Sequence, residues 1–126
     1  MRNRIDFEND PLILNAIQRN LIEIHGDRIT YNIHQKKTYN WADPEEWVRA
    51  RTIAFLVLEK AYTPRSIRTE VVVPRRTPED FADIVVFADE RCITAIISCL
   101  CSKLWGNNYN IEKKHVLNKN STQYMY

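Results

Sequence analysis

The sequence predicts an α/β fold. An acid-capped, proline-opened helix begins at Asp43-Pro44, and three runs rich in β-branched residues follow it at 67–73, 81–87 and 92–100. Each run has the length of a strand. Ahead of them lie a helical pattern and a segment of apolar–polar alternation between Arg28 and His34. A chain of 126 residues fits one domain that can bury a core without staples.

The first helix is expected from Asp10 to Ile24. Asp10 suits the cap and Pro11 the first position, where an amide donor would be unpaired anyway. Leu14, Ile17, Leu21 and Ile24 recur at helical spacing, and Gly26 can end the helix with a positive φ. From Arg28 to His34 the period becomes two, with Ile29, Tyr31 and Ile33 on one face. Lys36-Lys37 reads as an exposed turn, and Thr38 to Trp41 as a short strand that pairs back. In the next helix Asp43 is the cap, Pro44 the first residue and Glu46 the third, close to a capping box. Trp47, Ala54, Phe55, Leu58 and Tyr62 supply its buried stripe, and Thr63-Pro64 stops it. After the strand at 67–73 comes an arginine-bearing proline loop, 74–78. The last two strands, 81–87 and 92–100, are joined through Ala88-Asp89-Glu90-Arg91 and read as buried on both faces except at Asp83.

Charge and composition exclude several classes. Gly26 and Gly106 are the only glycines, too few for a glycine-rich phosphate loop. Residues 1–101 carry 14 Lys and Arg against 15 Asp and Glu, whereas residues 102–126 carry four lysines against Glu112. The positive excess therefore sits in the tail. Cys92, Cys99 and Cys101 are odd in number and follow no signal-like segment, which suggests reduced thiols in the cytoplasm. No apolar run reaches the roughly 18–20 residues of a membrane span.

An aspartate inside an apolar strand needs an explanation, because a buried carboxylate is costly unless paired, hydrogen-bonded or metal-bound. Asp83 lies in Ala82-Asp83-Ile84-Val85-Val86-Phe87. Upstream stand Pro44-Glu45-Glu46-Trp47-Val48-Arg49, Tyr62-Thr63-Pro64, Ile67-Arg68-Thr69-Glu70-Val71 and Arg75-Arg76. In this order and spacing, residues 43–97 resemble the N-terminal domain of type I restriction enzyme R subunits, a PD-(D/E)XK nuclease-like family. The resemblance implies a nuclease-like core with a mixed sheet flanked by helices. It implies Mg²⁺ as cofactor, with Asp83 and Glu46 (or, second, Glu45) as catalytic metal ligands and Glu70 as a supporting acid, because oxygen ligands are what Mg²⁺ prefers. It also implies DNA, and other restriction–modification subunits, as partners.

The chain departs from the family at the third strand, which should read apolar-apolar-Glu-x-Lys and here reads Ile96-Ile97-Ser98-Cys99-Leu100. Ser98 stands where an acid belongs and Leu100 where a lysine belongs, and Lys103 lies three positions late. Whether the chain is an enzyme is therefore left open. Arg75, Arg76 and Lys103 are the candidates for DNA phosphates, although for the two arginines simple pairing with Glu79 and Asp80 is the readier reading. Three segments are expected: a helix-and-hairpin extension at 1–42, a nuclease-like core at 43–101 and a basic, Asn-rich segment at 102–126. The alternative to an impaired nuclease is a non-catalytic DNA-binding or assembly module, or a shortened remnant of an R subunit.

Overall fold

The computed structural model describes residues 3–73, 80–99 and 115–116. Helices α1 (Arg4–Glu8) and α2 (Pro11–Gln18) lead into strands β1 (Ile22–His25), β2 (Arg28–Asn32) and β3 (Lys36–Asn40), which form an antiparallel meander. Helix α3 (Pro44–Leu58) follows. Strands β4 (Ile67–Val73), β5 (Asp80–Phe87), β6 (Ala95–Cys99) and β7 (His115–Val116) make a second antiparallel sheet in that order. The α/β class and the adjacency of the three long strands are as the sequence predicts.

The first helix is shorter than its apolar spacing suggests. It stops at Gln18 because Asn20 takes φ 61, and the amides of Asn20 and Leu21 turn back to the carbonyls of Ile17 and Ala16 at 3.1 and 2.9 Å. That is a Schellman closure with asparagine in the left-handed position. Ile22 and Ile24 then enter β1, where Ile22 faces Tyr31 and Ile24 faces Ile29. Gly26, expected to end a helix, instead supplies φ 59 in the β1–β2 turn. Lys36 and Lys37 begin β3 rather than forming a turn. A further helix, α1, is closed by a capping box between Asn3 and Asp6.

The last long strand begins later than expected. Cys92 has φ 55 and donates its amide to Asp89 (3.2 Å), so residues 88–94 close a loop and the strand starts at Ala95. Beyond it, His115 and Val116 add a short strand that pairs with Ser98 and Ile97.

Helix α3 holds the two sheets together. Its Val48, Ile53, Ala54 and Leu56 join one apolar cluster with Ile22, Ile29 and Tyr31 of the meander and with Ile67, Ile84, Val86 and Ile97 of the second sheet. Val85, Phe87 and Ala95 pack in a separate cluster, so β5 is buried on both faces, as its unbroken apolar run implies. Polar links fix the N-terminal segment to the same helix. Arg51 Nε meets Asp10 Oδ2 at 2.8 Å, and Trp47 Nε1 donates to the Trp41 carbonyl at 2.6 Å.

Candidate functional site

Glu46 does not complete a capping box. Asp43 caps the helix by accepting from the Glu45 amide at 3.0 Å, and the Glu46 side chain turns inward. Its Oε2 accepts from the Tyr31 hydroxyl at 2.5 Å and lies 3.2 Å from Arg49 Nε, one turn along the helix. The Glu46 side chain is 4% exposed and that of Arg49 8%. Burial drives the Glu46 carboxyl up to about 7, against the opposing pull of Arg49 and the Tyr31 hydroxyl, with Asp43 and Glu70 adding repulsion.

Arg49 reaches a second acid. Its Nη2 donates to Glu70 Oε2 at 3.2 Å, and its guanidinium carbon sits 4.4 Å from the centre of the Tyr39 ring. Stacking on an aromatic face while forking toward carboxylates is a use to which arginine is suited and lysine is not. The Tyr39 hydroxyl in turn pairs with Thr69 Oγ1 at 2.7 Å. Three elements converge here: the meander through Tyr31 and Tyr39, helix α3 through Glu46 and Arg49, and β4 through Thr69 and Glu70. Glu70 has φ 52, an uncommon conformation for a side-chain-bearing residue, at the point where it meets the guanidinium.

Asp83 is half-buried on β5. In the β4–β5 ladder Thr69 faces Ile84 and Val71 faces Ala82, so Glu70 and Asp83 are the two residues between those pairs. In the β5–β6 ladder Val85 faces Ser98 and Ile84 faces Cys99. Arg75, Arg76, Leu100 and Lys103 lie outside the described residues.

A divalent cation does not fit the Glu46–Glu70 pair as it stands. A guanidinium already holds the space between the two carboxylates, and one of them is buried with a pKa raised to about 7. Among the described residues, no group of three or more His, Cys, Asp or Glu side chains is placed to hold a metal ion. An open cleft of about 690 Å³ lies elsewhere, lined by Tyr62, Ser66, Phe87, Asp89, Arg91 and their neighbours, and none of Glu46, Glu70 or Asp83 borders it.

Two of the three acids suggested by the resemblance, Glu46 and Glu70, are thus brought together through Arg49. Sequence reasoning missed Arg49, Tyr31, Tyr39 and Thr69. A signal for Arg49 was present: it stands three residues after Glu46, among the apolar residues of α3. No helix among the described residues is long and apolar enough to cross a membrane. No curated protein and no solved structure matches the chain. The family model described as Type I restriction enzyme R protein N terminus matches residues 44–126, a span that begins at the first residue of α3 and takes in Glu46, Arg49, Glu70 and Asp83. By that match, the chain belongs to the family of type I restriction enzyme R protein N-terminal domains.

Proposed function

We propose that this chain is a restriction-system domain with a PD-(D/E)XK-like core that contacts DNA without cutting it at a useful rate. The supporting observation is the strand register. Asp83 and Val85 are two residues apart on β5, and Ser98 of β6 is the partner of Val85. Ser98 thus lies on the strand next to that of Asp83, opposite the residue two places along. The family's pattern has a second acid on that neighbouring strand, and this chain offers the neutral Ser98 hydroxyl. Loss of one such electrostatic contributor commonly costs about 10²–10³ in rate, and the Glu46 and Glu70 carboxylates are engaged by Arg49.

DNA contact, in this reading, runs through Arg75, Arg76 and Lys103 and is weak and independent of sequence. Phosphate neutralisation releases counterions, so affinity falls steeply as salt rises. The other subunits of a restriction–modification assembly are the proposed protein partners. The test is supercoiled-plasmid nicking with Mg²⁺ or Mn²⁺, run beside fluorescence-anisotropy binding to duplex DNA across a salt series. Expected are salt-sensitive binding and no nicking above that of Asp83→Ala. Nicking by the unmodified chain that vanishes in Asp83→Ala overturns the non-cutting part. Absence of binding at low salt overturns the DNA part.

A further inference from the structure

We infer that Arg49 is the built-in counter-cation of the Glu46–Glu70 pair, standing in the place of a divalent ion, and that replacing it with a neutral side chain turns the pair into a divalent-cation site. One guanidinium takes both acids: Nε faces Glu46 Oε2 and Nη2 faces Glu70 Oε2, each at 3.2 Å. The acids come from different elements, the first turn of α3 and β4, so only the tertiary fold brings them to one cation. Hydroxyl oxygens lie beside them. Tyr31 donates its hydroxyl to Glu46, and Thr69, next to Glu70, holds the Tyr39 hydroxyl.

With the guanidinium removed, two carboxylates from separate elements would share a partly buried space with no counter-charge between them. Hard divalent cations favour such an oxygen set. With Arg49 present, an added cation would meet a fixed positive charge at short range. Arginine keeps that charge across the accessible pH range, so titration does not open the site. The stack on Tyr39 further restrains the guanidinium. The inference rests on these contacts and not on DNA binding, so the plasmid assay can fail without affecting it.

The experiment measures Mn²⁺ binding by electron paramagnetic resonance at pH 8, together with thermal melting. The unmodified chain, Glu46→Gln, Arg49→Met and the double variant are compared. Expected is no saturable Mn²⁺ binding in the unmodified chain that Glu46→Gln removes. Expected in Arg49→Met is one new Mn²⁺ site and a metal-dependent rise in Tm, both lost in the double variant. A folded Arg49→Met that neither binds Mn²⁺ nor gains Tm overturns the inference. Saturable binding in the unmodified chain that Glu46→Gln abolishes also overturns it. If Arg49→Met folds only with Mn²⁺, the inference is supported directly. If it folds under neither condition, the comparison of the unmodified chain with Glu46→Gln decides.

Discussion

Glu46→Gln should make the protein more stable at pH 8 and leave it almost unchanged at pH 4. The Glu46 carboxyl is raised from its usual 4.5 to about 7, chiefly by burial. At about 1.36 kcal/mol per pKa unit, ionising it in the folded state costs about 3 kcal/mol relative to the unfolded chain. Because the folded value lies above the unfolded one, the folded state binds the extra proton. Glu46 therefore favours folding fully below about 4.5, loses that contribution as pH rises, and has lost it above about 7. Glutamine mimics the protonated acid, and its amide oxygen can still accept from the Tyr31 hydroxyl. Urea unfolding of both proteins at closely spaced pH values isolates the effect, since their difference cancels the other titrating groups. The difference should be near zero at pH 4 and grow to roughly 1–3 kcal/mol in favour of glutamine by pH 8. A flat difference across this range, or glutamine being the less stable at pH 8, would mean that the ion pair with Arg49 outweighs burial.

Tyr31→Phe removes the hydroxyl that donates to Glu46 Oε2; it should cost about 1–3 kcal/mol at pH 8 and move the Glu46 titration, followed by carboxyl NMR, to higher pH. At position 20, where asparagine holds φ 61, Asn20→Val should destabilise by about 1–2 kcal/mol and Asn20→Gly should not, as read from urea midpoints. Ile84→Ala empties a fully buried position on β5 and should cost about 2–5 kcal/mol in the same assay; a smaller loss would mean that the sheet relaxes around the gap.

Local chemistry was legible without coordinates. Asp43 and Pro44 announce α3 because a cap and a fixed φ act within one turn. The alternation of Ile29, Tyr31 and Ile33 announces β2 because side chains of a strand point to opposite faces in turn, and all three are buried. The apolar run through β5 reveals burial on both faces. Where sequence patterns misled, two local solutions were nearly equal. Leu21 and Ile24 fit a helical stripe as well as a strand, and the left-handed turn at Asn20 with the Ile22–Tyr31 and Ile24–Ile29 pairs decides for the strand. Glu46 fits a capping box as well as an inward acid, and the Tyr31 hydroxyl with the Arg49 guanidinium decides for the inward rotamer.

The sequence by itself determined the α/β class, the helix after Asp43 and the order of the long strands. These follow from spacing and residue type along the chain. Only the tertiary structure decided that Glu46, 24 positions before Glu70 in the sequence, shares one arginine with it. It also decided that the meander supplies Tyr31 and Tyr39 to the same place. The physical reason is that charge pairing and desolvation act through space. Whether a carboxylate serves as a helix cap, a metal ligand or one arm of a buried ion pair depends on which cation the fold brings within about 3 Å of it, and that distance has no period in the sequence.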